Sequence, residues 1–204
     1  MEFWNDVATD RSWDVLISLR KEADFILIGG WACYLLTKTI KSKDIDIIVD
    51  YDTLKKLKMK YPLKKTPFLR KYEMKMDEIS IDIYVPFYSK FAIPVEEIPK
   101  NTLSVEGFTL PVPELLLLLK QQAELERGHS VRGQKDRVDI LNILIHGNVN
   151  FEKYNELAKS FRLEGYKKRL REIVSGAQKE FSYLGISDLR KAKLIRIELL
   201  EKLK

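Results

Sequence analysis

The sequence predicts a mixed α/β (α+β) fold, a small mixed sheet followed by a helical lobe. Short β-branched runs alternate with helical stretches as far as about residue 110. From Pro111 onward nearly every segment reads as helix. No internal repeat or low-complexity linker interrupts the chain. The expected division is therefore residues 1–110 and residues 111–204, and 204 residues suffice to bury a core in one domain or two small lobes.

The first expected helix lies around Asp10 to Glu22, where Trp13, Val15, Leu16 and Leu19 recur near helical spacing. The run FILIGG reads as a buried strand entering a tight turn. WACYLLTK continues as an apolar helix starting near Trp31, and DIDIIVD alternates as a strand should. Asp52 is placed to cap the helix TLKKLKMK. YEMKMDEISIDIYVP predicts a hairpin whose second strand runs from Ile79 to Val85. A shorter strand pair is expected at Leu103 to Leu110, around a Glu106-Gly107 turn. Pro113 and Glu114 suit the start of the helix PELLLLLKQQAELER. GHSVRGQ reads as a loop before the helix KDRVDILNILIH, with further helices near Phe151–Leu163, Tyr166–Val174 and Asp188–Leu203.

Composition narrows the setting. Hydrophobic residues make up 45% of the chain and charged residues 32%, as in a soluble globular protein. No apolar run approaches the roughly 20 residues needed to span a bilayer, so no membrane partner is expected. The opening MEFWNDVATDRSW is neither basic nor apolar, which argues against a secretory signal. Cys33 is the sole cysteine, so no disulfide framework forms and a cytoplasmic location fits. A net charge of +6 favours polyanions such as nucleotides or RNA.

The residues that carry chemistry are carboxylates and glycines. In Asp44-Ile45-Asp46-Ile47, strand alternation sends both aspartates to one face and both isoleucines to the other. Paired carboxylates repel, and a hard divalent cation removes that penalty. In Ile81-Asp82-Ile83 the same alternation offers a third acid on a second strand. If those strands pair, three aspartates converge, enough for two metals and an in-line displacement. Gly29-Gly30 follow a strand and precede a helix, so bare N–H groups and a positive helix end suit a phosphate. In the second half Lys120, Ala123 and Arg127 share one helical face, and Asp136 and Asp139 share a face of the next helix. Those ions could equally pair with one another on the surface.

This order resembles the nucleotidyltransferase superfamily of the DNA polymerase β type, whose signature is a hydrophobic-Gly-Gly/Ser turn, a short helix, then Asp-hydrophobic-Asp/Glu-hydrophobic. Here it stands as Ile28-Gly29-Gly30 and Asp44-Ile45-Asp46-Ile47, with Asp82 in the place of the third carboxylate. A second stretch, Lys120-x2-Ala123-x3-Arg127, a loop, then Lys135-Asp136-x2-Asp139-Ile140, looks like the AbiEii/MenT group, many of them toxins of toxin–antitoxin pairs. Lys41-Ser42-Lys43 resembles the basic-hydroxyl lead-in of that group, with lysine where arginine is usual.

The resemblance implies a nucleotidyltransferase palm with a C-terminal helical lobe that completes the nucleotide site. Asp44, Asp46 and Asp82 would be the catalytic residues and the ligands of Mg²⁺ or Mn²⁺. Gly29, Gly30, Ser42, Lys43 and Lys120 would hold an NTP, with Arg127, Lys135, Asp136 and Asp139 beside it. The resemblance says little about the acceptor, which the sequence leaves open among a tRNA, a protein and a small molecule; an antitoxin is the partner expected of a toxin of this group. The competing expectation is a catalytically silent protein of the same fold that acts by binding protein or RNA.

Other features read as structure. Lys55, Lys56, Lys58, Lys60, Lys64 and Lys65 make a basic run that is a solvated face or a seat for a polyanion. His129 and His146 lack partners at zinc-ligand spacing. Trp4, Trp13 and Trp31 are expected to pack, Trp31 beside the glycines.

Overall fold

The computed structural model describes residues 6–204; Trp4 lies outside them. The chain divides into two compact units, one ending at Val112 and the other running from Pro113 to Lys204.

In the first unit the described chain begins with α1 (Asp6–Arg20), β1 (Ile26–Ile28), α2 (Gly29–Thr37), β2 (Ile45–Ile48) and α3 (Tyr51–Lys60). Then come β3 (Lys64–Thr66), β4 (Lys71–Met76), β5 (Ile79–Tyr84), a 3-10 turn at Val95–Lys100, β6 (Thr102–Val105) and β7 (Phe108–Pro111). The strands form one seven-stranded sheet in the order β3-β4-β5-β2-β1-β7-β6. β2 runs parallel to β5 and β1 parallel to β7, while the other neighbours are antiparallel, so the sheet is mixed as the sequence predicts.

The β4–β5 and β6–β7 hairpins each close on two residues in the left-handed region, the geometry that matches strand twist. Asp77 and Glu78 have φ of 47° and 67°, and Glu106 and Gly107 of 51° and 78°. The alternation of β2 and β5 buries Ile45, Ile47, Ile81 and Ile83 completely on one face. Packing of α1 against α2 centres on Trp31, which is fully buried, lies 5.1 Å from Trp13 between ring centroids, and donates from Nε1 to Ser12 Oγ at 2.9 Å. Trp31 is thus a core residue whose one polar atom is satisfied within the helix pair.

Several local expectations are corrected. Gly29 opens α2, so the helix starts two residues before Trp31 and both glycines belong to its first turn. Asp50, not Asp52, caps α3: its carboxylate accepts from the Thr53 N–H at 2.7 Å, the usual reach from an N-cap to the third helical residue. The short strand β3 and the 3-10 turn were not anticipated.

The second unit is helical: α4 (Pro113–Arg127), α5 (Val131–His146), α6 (Phe151–Ser160), α7 (Glu164–Gly176), α8 (Lys179–Tyr183) and α9 (Leu189–Lys202). Leu115, Leu116, Leu117 and Leu118 are all fully buried, so the leucine run is core on every side of α4. α5 begins at Val131, four residues before Lys135, because Ser130 Oγ accepts from the Gly133 N–H at 3.1 Å. Most of the expected GHSVRGQ loop is therefore helix. A β-carbon at Gly133 would stand 2.2 Å from the Arg127 carbonyl oxygen, so the tight α4–α5 corner demands glycine there. Among the described residues no helix is long and apolar enough to cross a membrane.

Candidate active site

The sheet register decides where the acids meet. Ile28 is the partner of Asp46 across β1 and β2, so the chain leaves β1 and enters Gly29 beside that aspartate. Gly29 has φ of +70°, and a β-carbon on it would stand 2.2 Å from Asp46 Oδ2. Two independent constraints therefore require glycine: the backbone conformation and the space taken by the carboxylate. The result seats Asp46 against the first turn of α2, whose N-cap residue, Ile28, has no polar side chain to cap it.

On its other side β2 pairs with β5, and Asp46 is the register partner of Asp82. Asp82 in turn is the partner of Glu73 on β4. In-register neighbours share a face, so Asp46, Asp82 and Glu73 form a row across three strands spaced about 4.8 Å apart. Asp44 lies one residue before β2. It is near enough to contribute to the titration of Asp82, whose carboxyl is raised above its ordinary value. Burial is the main cause; Lys71 opposes it, and Glu73 and then Asp44 add like-charge repulsion.

Lys71 was not foreseen. Its Nζ donates to Asp82 Oδ2 at 2.6 Å and stands 3.0 Å from Glu73 Oε1, with only 13% of its side chain exposed. Burial works against the ammonium, but Asp82 and then Glu73 outweigh it and hold its pKa above the ordinary value. Glu73 is depressed, chiefly by the hydrogen bond from Lys71.

Ser42 is buried and its hydroxyl donates to the Asp44 carbonyl at 3.1 Å, so it shapes the approach to β2. Lys43 is half-buried in the same segment, and Lys41 pairs with Asp10 at 2.7 Å. Of the basic run, Lys60 pairs with Glu22 at 2.8 Å and Lys65 places its ammonium 4.5 Å from the centre of the Tyr88 ring.

A second cluster lies within the helical unit. Lys120 Nζ is 2.6 Å from Asp139 Oδ2 and 3.5 Å from Asp136 Oδ1. Arg127 grips Asp136 with two N–H groups at 2.6 and 3.1 Å, and Lys135 reaches Asp139 at 3.0 Å. Asp136, Asp139 and Lys120 are all buried, so these pairs are interior rather than the surface pairs that spacing also allowed. Asp139 stays below its ordinary pKa: burial pushes the carboxyl up, and Lys120 and Lys135 outweigh it. Its Oδ1 is buried without a hydrogen-bond partner, an atom that would accept a water or a ligand donor.

Whether these groups suit a divalent cation is a question of donors and space. Among the described residues no group of three or more His, Cys, Asp or Glu is arranged to hold a metal ion. Of the three expected acids, Asp46 and Asp82 are register partners, Asp44 stands one residue before β2, and an ammonium lies on Asp82. The donors are nonetheless hard oxygens in mutual repulsion, and the missing side chain of Gly29 leaves the space that the Asp46 carboxylate occupies. By donor chemistry the acids suit such a cation, and Lys71 Nζ stands 2.6 Å from one of their oxygens, Asp82 Oδ2.

No protein-family model matches the sequence, and no curated protein matches it significantly. Among solved structures, the chain is similar to an antigenic nucleotidyltransferase-like protein from Paracoccidioides brasiliensis, at 18% identity and a TM-score of 0.38, over 80% of this chain and 87% of that one. It is also similar to JHP933 from Helicobacter pylori, at 17% identity and a TM-score of 0.51, over 97% of this chain and 95% of that one. The likeness to JHP933 is one of fold.

Proposed function

We propose that this chain is a metal-dependent nucleotidyltransferase that moves an NMP from an NTP to an acceptor hydroxyl. The carrying observation is Gly29: its left-handed backbone and missing side chain leave room for the carboxylate of Asp46, itself in register with Asp82. In this reading Asp44, Asp46 and Asp82 hold Mg²⁺ or Mn²⁺. The cation, when bound, supplies positive charge against the phosphates of the nucleotide.

The chain's own groups do the rest. The first turn of α2, entered through Gly29 and Gly30, offers backbone N–H groups to the β- and γ-phosphates. Ser42 and Lys43 shape and charge the neighbouring segment. Asp82, raised by burial, receives the proton of the attacking hydroxyl. A bond forms between the acceptor oxygen and the α-phosphorus, the bond from that phosphorus to the bridging oxygen breaks, and pyrophosphate leaves. By the resemblance alone, Lys120, with Arg127, Lys135, Asp136 and Asp139, would serve the triphosphate.

The AbiEii/MenT resemblance extends the proposal to a cytoplasmic toxin of a toxin–antitoxin pair with a tRNA or protein acceptor. The test is incubation with each α-³²P-labelled NTP, Mg²⁺ and cell extract, beside Asp46→Asn protein. Label on an RNA or protein band with the wild type alone is the expected result. Full transfer by Asp46→Asn would overturn the proposal.

One observation favours a second reading. Lys71 sits on Asp82, as in a silent protein whose acids are permanently neutralised. That protein would bind an RNA or protein partner without regard to Mg²⁺ or NTP.

A further inference from the structure

We propose that Lys71 is the resident cation of the acid row, and that a divalent ion binds only as this ammonium leaves Asp82 for Glu73. The inference rests on the metal-dependent reading above and names how that site is regulated.

Lys71 and Glu73 are two apart on β4 and share a face, and Glu73 is the register partner of Asp82. The ammonium therefore lies between two acids on adjacent strands, at 2.6 Å from Asp82 and 3.0 Å from Glu73. At that distance it occupies one of the two oxygens of Asp82, and its charge repels a dication approaching the other. A dication on the second oxygen of Asp82 would stand only a few ångström from that ammonium, and their repulsion disfavours sharing the carboxylate. A lysine stem is flexible, and a short swing of Nζ keeps the ion pair to Glu73 while freeing Asp82, with no movement of the backbone. Glu73 is thus the alternative seat and Asp82 the contested one. The row carries its own counter-ion when empty and yields it when the metal arrives.

The probe is Mn²⁺, titrated into full-length, nucleotide-free protein, with free ion read by electron paramagnetic resonance. Lys71→Gln should bind Mn²⁺ about tenfold more tightly than wild type, because the competing charge is gone. Lys71→Arg, which keeps the charge, should show no gain. Glu73→Gln should bind more weakly, since the ammonium loses its second seat and stays on Asp82. In the Lys71→Gln background, adding Glu73→Gln should change nothing.

Thermal melts establish that each variant is folded, and Lys71→Met provides a second neutral form that retains the apolar stem. Equal or weaker binding by both neutral variants would overturn the inference. So would a Glu73→Gln loss that persists without Lys71, which would make Glu73 an ordinary ligand. If wild type transfers NMP and binds Mn²⁺ but Lys71 variants match it, this inference alone fails. If no variant binds Mn²⁺, the metal-dependent reading fails and takes the inference with it.

Discussion

A methyl group on Gly29 would stand 2.2 Å from Asp46 Oδ2, on a residue already at φ +70°. Gly29→Ala therefore forces both a left-handed alanine, costing about 1–2 kcal/mol, and a displaced carboxylate. The expected outcome is a lower urea midpoint together with loss of Mn²⁺ binding. Stability lost with binding intact would mean that Asp46 has room to move. A comparable test addresses the interior of the helical unit. Tyr154 is buried and its hydroxyl donates to Gln121 Oε1 at 2.7 Å, while Gln121 Nε2 donates to the Tyr166 carbonyl at 2.8 Å. Burial raises the Tyr154 hydroxyl well above its ordinary pKa, so it remains a donor at every working pH. Tyr154→Phe leaves a buried amide oxygen without that donor and should cost about 1–3 kcal/mol by chemical denaturation.

The joint of α4 and α5 shows what a pair of helices does with buried charge. Asp139 faces both Lys120 and Lys135, and its pKa in the folded state is depressed. A depressed carboxylate contributes stability above its unfolded pKa and loses it as pH falls through the folded value. Acid should therefore weaken the helical unit below the ordinary aspartate range. Asp139→Asn should remove that component of the acid transition and cost about 3–5 kcal/mol at neutral pH, because Lys120 stays buried with the longer contact to Asp136. Urea melts of both proteins across pH check the slope as well as the offset.

Legibility in the sequence also divides by element. The strands carrying Asp46 and Asp82 were readable because isoleucines flank both acids and fix their face. The hairpin ending in the strand from Ile79 and the Glu106-Gly107 turn were also readable. The strand Lys64–Thr66 was not, since a polar edge strand has no apolar alternation to announce it. Lys71 and Glu73 escaped notice for a different reason. Their chemistry depends on register with Asp82, and register is a property of two strands that neither one displays alone.

Across the sheet of the first unit, β2 is the middle strand of seven, paired with β1 on one side and β5 on the other. Its amides and those of β5 should be the slowest to exchange with deuterium, and those of the outer strands β3 and β6 the fastest. Mass-resolved exchange of peptides spanning Ile45–Ile48 and Lys64–Thr66 checks the order, and equal rates would mean that the sheet opens as one piece. Asp46 and Asp82 thus sit on interior strands of the sheet, paired on both sides. The ammonium of Lys71 offsets part of the row's negative charge from within the sheet, so on the metal-dependent reading folding is expected not to await the metal. Chelation with EDTA should accordingly leave the melting temperature where it was.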